Sequence, residues 1–262
     1  MKKKILIFIP AYNVEKQIIR VLNKIPEKIF TDHLVNIIII EDCSKDNTKE
    51  VIKNYMKNSK NNNFIKLIEN KKNHRYGGVQ KIAFRYALDN NFDIVIMLHG
   101  DDQYDPGMIP EFIEKILNDN VDAVFGSRFI DRKAPLKGGM PLNRYIGNRA
   151  VTFTQNLIVG TKMTEFHSGY RCYKIDVLKK VNFEKNTNDF YFDSEIIIQM
   201  SKLNLNIKEI PIATIYADEI SNLKPIPYGI NVLLSTIKYK FFYKDWILFN
   251  FFIHSVNRFA IH

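Results

Sequence analysis

The sequence predicts an α/β fold with a mostly parallel central sheet, and three observations carry this. Apolar runs rich in Ile and Val recur at Lys4–Ile9, Val35–Ile40, Phe64–Ile68, Phe92–Leu98 and Val121–Phe125, each the length of a buried strand. Segments of about a dozen residues with helical spacing of apolar side chains separate them, which is the signature of βαβ units. Polar loops follow runs one, two and four at Tyr12, Asp42 and Asp101. Right-handed crossovers place such loops along one rim of a parallel sheet, where open α/β sheets bind ligands.

The elements can be justified in order. Lys4–Ile9 ends at Pro10-Ala11-Tyr12-Asn13, and Glu15–Ile25 then carries Ile18, Ile19, Leu22 and Ile25 at helical spacing. Val35–Ile40 ends in Glu41-Asp42-Cys43-Ser44-Lys45-Asp46, where Ser44 or Asp46 can cap a helix through Val51, Ile52, Tyr55 and Met56. After Phe64–Ile68 come a basic loop, Gly77-Gly78, and a helix with Ile82, Ala83, Tyr86, Ala87 and Leu88. The alternation stops after residue 126. A Gly- and Lys-rich loop leads to a helix over Leu142–Val159, then to the polar segment 164–171, an apolar helix from Phe190 to Met200, and a late strand over Leu205–Thr214 interrupted by Pro211. We therefore expect one domain over residues 1–215 and a helical tail over 216–262. In the tail, 226–262 mixes aromatics with lysines and includes the apolar Trp246–Ile253, a pattern that suits an anionic membrane surface and equally a helix packed on the domain or on a second copy of the chain.

Composition narrows the function classes. The 262 residues are 46% apolar, enough for one sizeable core, and the formal charge of +10 favours anionic partners. The lysines are spread along the chain without an aromatic-basic motif, so nucleic acid is not an expected partner. Cys43 and Cys172 have no metal-type spacing and suit a reducing compartment. The run after Met-Lys-Lys-Lys ends at Pro10, too short for a signal-peptide core or a membrane span. The expected location is cytoplasmic, either soluble or peripheral on the inner face of the membrane. No GxGxxG follows the first strand and no GxxxxGK[ST] occurs, which argues against a dehydrogenase or a P-loop ATPase.

The most informative stretch is His99-Gly100-Asp101-Asp102-Gln103-Tyr104-Asp105-Pro106, because its oxygen ligands leave one strand end within a few residues. Such a cluster suits a hard cation that leaves positions for water or phosphate, and a nucleoside diphosphate carries the matching charge. The same residues also suit a solvated turn that caps a helix with Asp, and spacing alone leaves both open.

Together, PAYN (10–13), EDCSKDNT (41–48), HGDDQYDP (99–106), GSR (126–128) and SGYR (168–171) resemble glycosyltransferase family 2. The likeness is to the branch of dolichyl-phosphate mannosyltransferases and bacterial polyprenyl-phosphate glycosyltransferases, and it covers residues 4 to about 215 in order. It implies a GT-A fold, a nucleotide-sugar donor linked to UDP or GDP, and Mg²⁺ or Mn²⁺ at Asp101 with Gln103. The donor site it implies comprises Pro10, Tyr12, Glu15, Asp42, Gly100, Asp101, Asp102 and Arg128. Arg128 and Arg144 match arginines that meet phosphate groups of donor or acceptor.

The chain departs from the family pattern in places. His99 stands where relatives carry the first Asp of Asp-x-Asp, a softer ligand whose contact with the metal is open. Val14 replaces a common Glu, with Glu15 next to it, and Glu165 replaces a usual Asp. The Arg expected around Ala217 is missing, and Lys224 is the nearest basic residue.

The expected reaction is inverting displacement at the anomeric carbon. A lipid-phosphate acceptor needs no general base, whereas a glycan hydroxyl needs a carboxylate in reach, for which Asp193 and Glu195 are the candidates by chain position. A donor-binding but inactive protein, an anion-binding module, peripheral membrane contact and self-association complete the expectations.

Overall fold

The structure is a computed structural model that describes residues 2–59, 62–213 and 225–242. Its centre is a seven-stranded sheet in the order β3-β2-β1-β4-β6-β5-β7. The strands are β1 (Lys4–Ala11), β2 (Leu34–Glu41), β3 (Ile65–Glu69), β4 (Ile94–Met97), β5 (Ala123–Ser127), β6 (Arg171–Lys174) and β7 (Ile207–Pro211). β6 alone runs antiparallel to its neighbours β4 and β5; the other pairs are parallel. The expected mostly parallel sheet is therefore present. β1, β2 and β4 have both faces covered, so they read as continuous apolar runs instead of alternating ones.

Ten helices are described: α1 (Ile18–Asn23), α2 (Lys28–Asp32), α3 (Thr48–Asn58), α4 (Arg75–Asp89), α5 (Ile109–Asn118), α6 (Ala134–Lys137), α7 (Leu142–Val159), α8 (Ile175–Lys180), α9 (Phe192–Lys202) and α10 (Pro225–Phe242). Two apolar clusters sandwich the sheet. One gathers Ile5, Ile7 and Ile9 with residues of α1, α3 and α5, and the other gathers Leu6 and Phe8 with residues of α4 and α9. Successive β1 side chains alternate between these clusters, as a strand requires.

Three sequence expectations are corrected. The polar segment ending at Arg171 leads into β6, which four residues of the sequence Arg-Cys-Tyr-Lys do not announce. α4 begins at Arg75, so Gly77 and Gly78 lie inside its first turns; a Cβ on Gly77 would stand 2.5 Å from the Thr187 carbonyl oxygen. The late strand is shorter than expected, Ile207–Pro211, and Pro211 is accommodated at its end because β7 is a sheet edge, where a missing N–H is tolerated.

α10 packs against α7 and α9. Val232, Ser235 and Thr236 are buried there, Ser235 Oγ donates to Glu195 Oε1 at 3.1 Å, and Tyr228 Oη meets His167 Nδ1 at 2.9 Å. Residues 225–242 are thus a helix packed on α7 and α9. Ala217, Lys224 and Trp246–Ile253 lie outside the described residues. Among the described residues, no helix is long and apolar enough to cross a membrane.

Candidate active site

The carboxyl ends of the adjacent parallel strands β2, β1 and β4 form one rim of the sheet. Hydrogen bonds stitch the first two loops together: Asn13 N–H donates to Ser44 Oγ (3.1 Å), Lys45 N–H to Asn13 Oδ1 (2.7 Å), and Val14 N–H to Thr48 Oγ1 (2.8 Å). Glu15 Oε2 accepts from Asn47 N–H at 2.8 Å, and Asp46 Oδ1 accepts from Thr48 N–H at 3.0 Å, so both acids serve the start of α3. Glu15 thus has a structural partner at the start of α3. Asn13 (φ 55°), Cys43 (φ 59°) and Asp102 (φ 63°) each put a left-handed residue into one of the three rim loops. Such strain gathers at functional sites held by their surroundings.

Tyr12 is 36% exposed at the mouth of the rim. Pro10 closes in on the β4 loop, since a Cβ on Gly100 would stand 3.0 Å from the Pro10 carbonyl oxygen. Gly100 thus serves close packing of two loops.

Asp42 is buried, and its carboxylate accepts from Asn70 Nδ2 (2.7 Å), His74 N–H (2.8 Å) and Arg75 N–H (2.9 Å). Asn73 Nδ2 donates to its carbonyl at 2.9 Å. Asp42 therefore fixes the basic loop ahead of α4. A carboxylate offers about four lone-pair directions, so these three donors leave room for one more.

In the β4 loop the carboxylates divide. Asp101 Oδ1 accepts from Gln103 N–H at 3.1 Å, while Oδ2 lies 3.7 Å from His99 Nδ1. Among the described residues no lysine or arginine comes within 4.0 Å of Asp101, whose side chain is 31% exposed. Asp102 is turned to α1, where Arg20 Nε (3.0 Å) and Lys24 Nζ (2.8 Å) neutralise it. Asp105 caps the next turn by accepting from Gly107 N–H at 2.8 Å.

Because β6 is antiparallel, its entrance arrives at the same rim as the end of β4: Met97 pairs with Arg171. Gly169 is thereby brought against His99. His99 Nε2 lies 3.4 Å from Tyr76 Oη, and Tyr76 Oη donates to Asp193 Oδ2 at 2.7 Å. Asp193 Oδ1 accepts from Gln80 Nε2 at 2.9 Å, and the buried Arg171 stands 3.8 Å from Oδ2. Sequence reasoning missed Tyr76, which sits in the first turn of a helix with nothing local to mark it.

Of the remaining expected residues, Asp193, Glu195 and Arg128 are buried. Asp193 and Glu195 are 4% and 3% exposed, in the first turn of α9. Their oxygens are engaged within the chain, Asp193 by Tyr76 Oη and Gln80 Nε2, and Glu195 by Thr187 N–H (2.7 Å) and Ser235 Oγ (3.1 Å). Burial pushes the Glu195 carboxyl up to about 7. Arg128, expected at phosphate, is buried: its backbone N–H and Nε donate to Glu165 (2.7 and 2.8 Å), and Nη2 pairs with the same carboxylate. Arg144 lies near the start of α7, about half-buried. His167 is pushed down to about 3 by burial and by Arg128 and Arg171, so it is a neutral ring.

A sequence profile described as "Glycosyl transferase family 2" matches residues 6–181. The chain belongs to glycosyl transferase family 2. This family 2 enzyme is 32% identical over 251 residues to the UDP-N-acetylglucosamine–dolichyl-phosphate N-acetylglucosaminyltransferase of Methanococcus voltae, covering 92% of this chain and 94% of that protein. It is 21% identical over 214 residues to the undecaprenyl-phosphate mannosyltransferase of Micrococcus luteus, covering 80% and 82%. Among solved structures, glucosyl-3-phosphoglycerate synthase of Mycobacterium tuberculosis with Mn²⁺, UDP and phosphoglyceric acid matches with a TM-score of 0.64 at 14% identity, covering 91% of this chain and 78% of that one. That likeness shows the GT-A fold. The family 2 chain is a nucleotide-sugar-dependent glycosyltransferase, and its relatives include enzymes of polyprenyl phosphates.

Proposed function

We propose that this enzyme transfers a sugar, with inversion, from a UDP- or GDP-linked donor to a polyprenyl phosphate, using a divalent cation at Asp101. The observation that carries the reading is the Asp101 carboxylate, open at the end of β4 with no lysine or arginine of the described residues within 4.0 Å of it. Its neighbours fit a divalent ion: an imidazole nitrogen 3.7 Å away and the Gln103 carboxamide two residues on. Bound there, Mg²⁺ or Mn²⁺ supplies Lewis-acid neutralisation of the departing diphosphate.

The chain's own residues do the rest by positioning. Tyr12, at the mouth of the stitched β1 and β2 loops, borders the base and ribose, and the remaining lone pair of Asp42 receives a base N–H. The absence of an exposed carboxylate base at Asp193 and Glu195 favours an acceptor oxygen that is already anionic, as in a lipid phosphate. The relatives from Methanococcus voltae and Micrococcus luteus, which act on dolichyl and undecaprenyl phosphates, support the same acceptor.

α7 supports contact with the membrane that holds such a lipid. Its buried residues are Thr152 and Gln155, while Leu142, Ile146, Phe153 and Leu157 are 58–66% exposed on one side. α10, packed beside it, likewise turns Ile230, Leu234 and Ile237 outward. Apolar stripes facing out of a helix pair, next to the exposed Arg132, Lys133 and Lys137, suit an anionic lipid surface.

The test is the thermal shift given by UDP- and GDP-sugars with and without Mn²⁺ or Mg²⁺, followed by transfer to undecaprenyl phosphate in vesicles. A cation-dependent shift for one nucleotide, lost in Asp101→Ala, is expected. A shift unchanged by Asp101→Ala would overturn the site.

A further inference from the structure

We infer that His99 is a cation ligand through Nδ1, its tautomer set by a hydrogen-bond chain from Tyr76 to Asp193, and that it shifts the preference of the site away from Mg²⁺ toward Mn²⁺ and Co²⁺. The inference rests on the cation site proposed at Asp101 and says which ion that site selects and why.

The Tyr76 hydroxyl carries a single hydrogen. Asp193 Oδ2 takes it at 2.7 Å, a charge-assisted bond that outcompetes a neutral acceptor. Asp193 is held for this role by Gln80 Nε2 at 2.9 Å and by the buried Arg171 at 3.8 Å. The phenol oxygen is then left as an acceptor, 3.4 Å from His99 Nε2. The imidazole satisfies it only by carrying its proton on Nε2.

With Nε2 as donor, Nδ1 holds a lone pair. It faces Asp101 Oδ2 at 3.7 Å, too far for a hydrogen bond. Two acceptors, one an anion, therefore converge with no protein cation of the described residues between them. Bonds of about 2.1 Å to nitrogen and oxygen reach across separations up to about 4.2 Å, so one ion can touch both. A ligating histidine that donates its other ring N–H to a carboxylate or its relay is the usual support of a metal site. Gly169 completes it, because a Cβ there would overlap His99 Nε2 and displace the ring.

Mg²⁺ demands oxygen ligands in near-ideal octahedral geometry, whereas an imidazole raises affinity for transition ions. Asp193 is thus a positioning residue acting through Tyr76.

The experiment uses the full chain with UDP and, separately, GDP. Electron-spin-echo spectra of bound Mn²⁺ report whether a ¹⁴N ligand is present, and competition gives the Mn²⁺, Co²⁺ and Mg²⁺ affinities. The expected result is a ¹⁴N signal in the wild type that disappears in His99→Asp, together with a Mn²⁺-over-Mg²⁺ preference that falls about tenfold in that variant. Tyr76→Phe is expected to weaken Mn²⁺ about tenfold, with melting lowered by the few degrees that one lost charge-assisted hydrogen bond costs. Mn²⁺ bound through Asp101 without a ¹⁴N signal would overturn the role of His99 and leave the Asp101 site standing. No cation binding with either nucleotide would overturn both.

Discussion

His99 and Gly169 occupy the same small space at the junction of β4 and β6: the imidazole lies where the first side-chain carbon of any other residue at 169 would be. Gly169→Ala must push the ring off Tyr76 or shift the entrance of β6. We expect a stability loss of about 1–3 kcal/mol, the usual cost of overpacking, with Mn²⁺-dependent donor binding reduced. Urea denaturation and calorimetric titration measure the two effects.

Arg128 and Glu165 form a buried pair in which the carboxylate takes a backbone N–H as well as the guanidinium. Removing the anion takes away the carboxylate that balances a buried guanidinium. Glu165→Ala is expected to cost about 3–5 kcal/mol, as for other broken buried pairs. A loss below about 1 kcal/mol in chemical denaturation would show that the guanidinium is resolvated at little cost.

Glu195 makes stability depend on pH. Burial raises its carboxyl from an ordinary 4.5 to about 7, against the Thr187 and Ser235 hydrogen bonds and the pull of Lys238 and Lys81. Between those values the folded state binds a proton that the unfolded chain has released. Its contribution is therefore fully present below the ordinary value and is lost as pH rises toward 7. Glu195→Gln should be more stable relative to wild type near pH 8 than near pH 5, by on the order of 2 kcal/mol. Equal differences at the two pH values would contradict the shift.

The outward stripe of α7 can be tested without touching the site. Phe153 and Leu157 are 64% and 66% exposed, so replacing both with Asp should leave the melting temperature nearly unchanged. Flotation with vesicles containing anionic lipid should fall severalfold, while donor binding in solution persists. Undiminished flotation would remove this face as the lipid contact.

The rim that carries the candidate site was legible in the sequence. Asp101 and Asp42 follow apolar runs that could only be strands, and strand ends of a parallel sheet converge on one rim. The division of labour among neighbouring carboxylates was not legible. Asp101 and Asp102 are adjacent in the chain, yet one is open and the other is neutralised by Arg20 and Lys24, because a left-handed φ at Asp102 sends its side chain toward α1. Asp193 and Glu195 are candidates by chain position and Arg128 by resemblance to the family; their burial is a tertiary property that neither shows.

The sequence by itself determined the layers of this protein and the family it belongs to, since hydrophobic period and ordered motifs are local properties of the chain. Only the tertiary structure decided that β6 runs antiparallel between β4 and β5, bringing Gly169 to His99 and Asp193 within reach of Tyr76. Those contacts join residues far apart in the chain, and they depend on strand direction and side-chain packing, which no local pattern encodes.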